Sequence, residues 1–218
     1  KIKQGAYVLF DHQKDEVLVE VLKDRNVKSG IVFTSRKRTV AQITRTLKKA
    51  GIRCERISSD AEQSERESVM LGFRQKKFPI LVATDVVSRG IDIDSIELVV
   101  NYDVPPNEED YVHRIGRTAR ADKDGEGVTL INPDDQFRFG KIEKLIEKEV
   151  PKLEIPERLG KGPEYNPKNR GGGGRHGGRS GQSGGRGGRQ PFRGGKSQGG
   201  DGGNRNKKPF NKNKPNQR

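Results

Sequence analysis

Residues 1–150 alternate between two spacings of apolar positions. Short runs rich in β-branched and aromatic residues have strand character at Ala6–Phe10, Gly30–Thr34, Arg53–Ile57, Ile80–Ala83, Glu97–Asn101 and Gly127–Ile131. Between them the spacing becomes helical. Lys14–Asp24 sets Val17, Leu18, Val21 and Leu22 on one face, and Arg38–Ala50 does so with Val40, Ile43, Leu47 and Ala50 before Gly51 stops it. Ser64–Gln75 carries Val69, Leu71 and Phe73; Glu108–Arg117 is entered after Pro105-Pro106; Gln136–Glu149 is closed by Pro151. Runs such as Ile31-Val32-Phe33 and Leu98-Val99-Val100 have no polar alternation, as a strand covered on both faces requires. Strands alternating with helices predict an α/β domain of three layers around a mainly parallel sheet. Ligands of such sheets bind beyond the carboxyl ends of the strands, where Thr34-Ser35 and Thr84-Asp85 fall.

Charge divides the chain in two. Of its 218 residues 29% are hydrophobic and 34% charged, too polar for one evenly composed globule. Residues 1–156 hold 28 Lys and Arg against 27 Asp and Glu, whereas residues 157–218 hold 16 against 3 and 19 of the 28 glycines. Periodicity ends near Leu159, and Gly-Gly-Arg units recur around Arg175, Arg179, Arg186, Arg189 and Arg193. The expected division is therefore a folded domain over 1–156 and a tail over 157–218. The tail has too little apolar surface to offset the entropy of ordering and is expected to be disordered. Its unopposed positive charge attracts phosphates without regard to sequence. Tyr165, Phe192 and Phe210 are candidates for stacking on bases, which makes RNA the expected partner. A merely solubilising tail is the alternative.

A single cysteine, Cys54, rules out an internal disulfide and a CxxC metal site, so no metal is expected and a reducing, cytoplasmic location fits. No apolar run approaches the ~20 residues of a membrane span, and no membrane partner is expected. The chain opens at Lys1 directly in ordered-looking sequence, the mark of a fragment that lacks an upstream part.

Two segments carry candidate chemistry. His113-Arg114-Ile115-Gly116-Arg117-Thr118-Ala119-Arg120 places three arginines at the end of a short helix. If the helix continues, Arg117 and Arg120 share a face, where paired guanidinium groups suit the oxygens of a phosphate chain. A solvated basic helix end is the plainer reading. Ala83-Thr84-Asp85-Val86-Val87-Ser88-Arg89-Gly90-Ile91-Asp92-Ile93 runs from an apolar strand through a small-residue turn to a second acid. No phosphate loop of the GxxxxGK[ST] form is present; Gly195-Lys196-Ser197 has Gln190 where the first glycine belongs.

Together, in this order, the two segments resemble motifs VI and V of the DEAD-box RNA helicases of superfamily 2. Ile31-Val32-Phe33-Thr34 resembles motif IV, and Gln63 and Arg66 resemble motif IVa. The likeness spans roughly residues 5–150, the second RecA-like domain of that family. It implies that Arg117 and Arg120 are arginine fingers on the γ-phosphate of ATP, and that His113 and Arg114 couple this lobe to the catalytic acids of another. It further implies that Asp92 binds the ribose hydroxyls, that Gly90 lets backbone approach closely, and that Thr84, Arg66 and Gln63 serve the RNA backbone. ATP is the implied cofactor. Mg²⁺ would enter through an upstream RecA-like domain, and this chain alone would hydrolyse nothing. Three departures stand out: Arg36 where a Thr is usual, Ser58-Ser59-Asp60 where His-Gly-Asp is usual, and Ala119 where Gly is commoner. A DNA helicase of another superfamily 2 branch, the RecQ-like enzymes, fits less well, since its motif VI begins with Gln and a cysteine-rich zinc module often follows. A non-enzymatic RNA-binding or annealing protein built on a motor lobe stays open.

Overall fold

The computed structural model describes residues 2–85, 96–118 and 124–168. Six strands, β1 (Ile2–Val8), β2 (Gly30–Thr34), β3 (Cys54–Ile57), β4 (Ile80–Thr84), β5 (Leu98–Asn101) and β6 (Gly125–Ile131), form one sheet in the order β1-β6-β5-β2-β4-β3. Every pairing is parallel. The helices are α1 (Lys14–Asp24), α2 (Lys37–Lys49), α3 (Gln63–Arg74), α4 (Glu108–Ile115) and α5 (Gln136–Leu145).

Alternation along each strand divides the core. Ile31, Phe33, Leu81 and Val99 pack on one side with Phe73, Tyr111, Ile115, Phe139 and Ile142 from α3, α4 and α5. Val32, Val82, Val100, Val128 and Leu130 pack on the other with Val17, Leu18, Val40, Ile43 and Leu47 from α1 and α2. β2 lies at the centre, with Ile31 opposite both Leu81 and Val99, and it is buried along its whole length. The three-layer α/β arrangement read from the sequence is the one observed. Cys54 is a buried core thiol, and burial pushes it up to about 11.

Element ends differ from the sequence reading for identifiable reasons. β1 covers Ile2–Val8 rather than Ala6–Phe10, because it pairs with β6 from Ile2 opposite Gly125 to Val8 opposite Ile131. β6 correspondingly begins at Gly125. α5 stops at Leu145, and Glu147 then takes a positive φ of 50°. α2 ends as anticipated at Gly51, whose φ of 78° a side chain would strain.

Order also continues past residue 156. Residues 151–153 extend the sheet at the free edge of β1, with Ala6 N–H donating to the Pro151 carbonyl at 2.9 Å and Leu153 N–H to the Ala6 carbonyl at 2.7 Å. The chain then crosses α5. Glu143 accepts from Lys152 Nζ at 2.6 Å, from the Tyr165 hydroxyl at 2.6 Å and from the Val150 N–H at 2.9 Å. Tyr165, a candidate for base stacking, instead has Lys152 Nζ 4.2 Å from its ring centre and meets Phe139 edge to face. Gln136 spans the same strap, donating to the Glu164 carbonyl at 2.9 Å and accepting from the Asn166 N–H at 2.7 Å. Gly140 is tight against Pro167, 2.6 Å from where a β-carbon would lie. Within the expected tail, residues 157–168 are therefore packed on the domain. Arg175, Arg179, Arg186, Arg189 and Arg193 lie outside the described residues, as do Phe192 and Phe210.

Burial raises Glu143, but its bonds to Lys152 and Tyr165 outweigh that and leave it below the ordinary glutamate range. A carboxylate held low stabilises the fold above its unfolded value, and that stability disappears as pH falls through the folded value. Glu143→Gln is expected to lower unfolding stability by about 2 kcal/mol at neutral pH. The difference should vanish in acid, below the usual glutamate range, when chemical denaturation is followed across pH.

Candidate functional site

All six strands run in one direction, so their carboxyl ends share one edge. In sheet order the edge presents Phe10 and Asp11 after β1, Asn132 after β6, Tyr102-Asp103 after β5, Ser35 after β2, Asp85 after β4 and Ser58-Ser59 after β3. Thr34 and Thr84 sit side by side in register at its centre.

Arg114 organises this edge. Its side chain is fully buried, and its guanidinium forks onto Asp85, Nε to Oδ1 at 2.5 Å and Nη2 to Oδ2 at 2.6 Å. Nη1 donates to Asn101 Oδ1 at 3.0 Å and to the Asp103 carbonyl at 3.3 Å. The ring of Phe33 lies 5.4 Å from the guanidinium carbon. One side chain thus ties α4 to the ends of β4 and β5. The resemblance implies that Arg114 couples this lobe to another; within this lobe its donors go to Asp85, Asn101 and the Asp103 carbonyl. Asp103 performs a parallel task, accepting from the Thr34 hydroxyl at 2.7 Å, the Ser35 hydroxyl at 2.7 Å and the Ser35 N–H at 3.0 Å. Neither Asp103 nor Asn101 was singled out in the sequence, although Asn101-Tyr102-Asp103 follows an apolar run directly, where edge chemistry belongs.

The other candidates take different positions. His113 is exposed on α4, while Arg117 lies beyond Gly116 in a tighter turn, its N–H donating to the Arg114 carbonyl at 3.1 Å. The helix ends at Ile115, short of the Arg117 expected from the sequence. Arg117 is half-buried. Arg120, Asp92 and Gly90 lie outside the described residues.

Thr84 is 5% exposed, and its hydroxyl oxygen has no hydrogen-bond partner among the described residues. Arg66 donates from Nη2 to the Ser59 carbonyl at 2.8 Å, yet its buried Nε is also unpartnered there. Buried polar atoms normally find partners, and these two have none among the described residues. Gln63 opens α3, is exposed, and donates to Glu67 at 2.8 Å.

A polar groove of about 700 Å³ runs along the edge between Lys14, Ser35, Arg36, Tyr102, Asp103 and Asp135. Lys14 is nearly buried, 3.4 Å from Asp11 and over the ring of Tyr102. Burial and a 2.7 Å bond to Asp15 hold the Tyr102 hydroxyl protonated well above the ordinary tyrosine range. Burial also raises the carboxyl of Asp135, partly opposed by Arg138 at 3.1 Å. Among the described residues no group of three His, Cys, Asp or Glu is placed to hold a metal ion, and no helix is long and apolar enough to cross a membrane.

Residues 13–122 match the family described as the helicase conserved C-terminal domain. The DEAD-box ATP-dependent RNA helicase RhpA of Helicobacter pylori is 36% identical over 155 residues, covering 71% of this chain and 32% of that protein. The chain thus spans about a third of the length of such curated relatives. The E. coli DEAD-box protein SrmB, solved bound to the regulator of ribonuclease activity A, superposes with a TM-score of 0.68 at 31% identity, covering 75% of this chain and 98% of that one. S. cerevisiae Dbp5 bound to RNA and ADP BeF3 superposes with a TM-score of 0.64 at 28% identity, covering 69% and 41%.

Removing one partner of a buried, hydrogen-bonded ion pair leaves the other charge uncompensated, at a cost of about 3–5 kcal/mol. Arg114→Ala is expected to lower unfolding stability by that amount, measured by urea titration. A loss below about 1 kcal/mol would show that the pair does not brace the edge.

Proposed function

Because this chain belongs to the DEAD-box RNA helicases, as their second RecA-like domain, we propose that it is the C-terminal motor lobe of an ATP-dependent RNA helicase. An upstream RecA-like lobe would complete the enzyme. The observation that carries the reading is the Arg114–Asp85 fork, which brings the segment ending in Arg117 and the segment beginning at Thr84 onto one edge. A motor lobe needs both there, since one segment serves the phosphates of the nucleotide and the other its ribose and the RNA.

ATP, when bound between the lobes, supplies the phosphoryl group whose transfer drives the cycle. Magnesium would be held by the acids of the upstream lobe. Arg117, with Arg120, faces the γ-phosphate in the closed state and neutralises charge that develops on it. Arginine is suited to this because its charge does not titrate and its planar fork matches phosphate oxygens. Asp92 accepts from the ribose hydroxyls, and Gly90 lets the backbone approach. His113, exposed on α4, meets the partner lobe. Arg114 acts at one remove, by fixing the helix that carries them.

RNA completes the other half of the edge. The Thr84 hydroxyl and Arg66 Nε, without partners among the described residues, are suited to the sugar-phosphate backbone of a single strand, and Gln63 lies with Arg66 on α3. Closure around a bent strand is incompatible with a regular duplex, so ATP-driven closure separates strands locally and hydrolysis releases them. Differential affinity for the closed state is what drives the step: Arg117, Arg120 and Asp92 meet ATP only there. The arginine-rich tail tethers the motor to structured RNA and raises its local concentration. The single buried thiol suits action in the reducing cytoplasm.

The decisive variant is Arg117→Ala in the intact protein. Arginine fingers in related phosphoryl-transfer enzymes contribute about 10³-fold or more in rate. RNA-stimulated ATP turnover should therefore fall by about that factor, with thermal unfolding and RNA affinity unchanged. Unaltered turnover would refute the finger role and, with it, the motor reading of this edge.

A further inference from the structure

The outer face of α2 belongs to none of the motifs used above. Residues 36–53 hold seven Lys and Arg and no Asp or Glu, whereas the rest of residues 1–156 holds 21 against 27. The near-neutral lobe is therefore a segregated one, a positive stripe on an otherwise negative body. Val40, Ile43 and Leu47 face the core. Arg38, Arg45 and Lys49 are exposed, and their spacing of seven and then four residues puts them in one line directly opposite that buried face. At ~1.5 Å per residue the line is about 16 Å long. Arg56 on β3 is exposed nearby in the fold, on the strand that packs beside α2.

Two features distinguish this stripe from an ordinary solvated helix. First, the described residues provide few partners. Only Lys37 and Lys48 are ion-paired, to Asp60 at 3.8 Å and Glu55 at 3.5 Å, both well exposed, while Arg38, Arg45, Lys49 and Arg56 have no ion-pair partner among the described residues. Second, Lys37 and Arg38 occupy the first turn of α2, where the helix dipole favours acids, and no acid is present there. Such placement opposes the stability of the isolated helix and is rational if an anion covers it. The stripe also has a definite origin: it starts at Arg36, immediately after Ser35 on the carboxyl edge, and leads away from that edge along the lobe.

We propose that the solvent face of α2 is a second RNA-binding surface, which holds the sugar-phosphate backbone where the RNA continues beyond the strand gripped at the sheet edge. The inference rests on the RNA reading of that edge. Contact is through phosphates, because the surface offers charge without an exposed aromatic, and it is therefore independent of base sequence. The stripe lengthens the footprint of the lobe and gives an extended RNA an affinity advantage over a short one.

The test uses the full chain and two RNAs, a short oligouridine and the same strand extended on both sides, with affinity followed by fluorescence anisotropy over a range of salt. Two variants are compared: Arg38→Gln/Arg45→Gln/Lys49→Gln on α2, and Arg66→Gln/Thr84→Val at the edge. The α2 variant should bind the extended RNA at least about tenfold more weakly and flatten its log affinity against log salt slope by about 2, while binding the short RNA as before. Since all three side chains are exposed, its thermal unfolding should match the parent. A 4-thiouridine in the extension should crosslink to residues 36–53 in the parent and not in the variant. Unchanged affinity and slope for the extended RNA, with no such crosslink, overturns the proposal. If the edge variant binds the short RNA as the parent does, the reading of the edge itself fails, and the stripe loses its stated origin.

Discussion

A buried guanidinium is costly to desolvate, and everything at the carboxyl edge depends on how Arg114 is compensated. Its side chain is 0% exposed, and four of its donor bonds are accounted for by Asp85, Asn101 and the Asp103 carbonyl. The geometry that makes this tolerable also makes it informative. A bidentate fork fixes both distance and orientation, so α4 cannot rotate or slide without leaving a buried charge unpaired. Arg114 and Asp85 are 29 residues apart, in the two segments that the sequence marks most sharply. The buried arginine is thus the link between them, while its neighbour His113 is exposed and Arg117 half-buried.

The parallel sheet supplies the rest of the arrangement. Because all strands end on one side, residues scattered from Phe10 to Asn132 become neighbours there without any special loop. Asp103 steadies Thr34 and Ser35 as Arg114 steadies Asp85, so two anchors set the polar rim. Against that background the two unpartnered atoms, on Thr84 and Arg66, are informative. Buried polar groups are normally satisfied, and these two have no partner among the described residues. At the far edge of the sheet the opposite holds: residues 151–153 cover β1, which removes an unpaired strand edge.

The central strands and the amphipathic helices were legible because their pattern is local: β2 and β5 are continuous apolar runs, and α2 alternates with a clean helical period. What was missed depends on tertiary partners. β1 contains Lys3, Gln4 and Gly5, and only its register with β6 makes the first residues a strand. The end of α4 fell at Ile115 rather than Arg117 because Gly116 begins a tighter turn. Residues 157–168 read as tail since they hold few apolar groups, yet they are fixed by Gln13, Gln136 and Glu143, polar side chains reaching from the domain. The motif arginines show the same limit: spelling singled out Arg114 and Arg117 alike, and only the structure shows that Arg114 is buried and braced while Arg117 is half-buried.

The central claim is that this lobe supplies half of a divided site. The most direct measurement is RNA-dependent ATP turnover by this chain alone and by the same chain joined to an N-terminal RecA-like lobe that carries a phosphate-binding loop. The account predicts no turnover alone and RNA-stimulated turnover in the joined protein. Turnover by the chain alone would contradict it, since it would place a complete phosphate site within these residues.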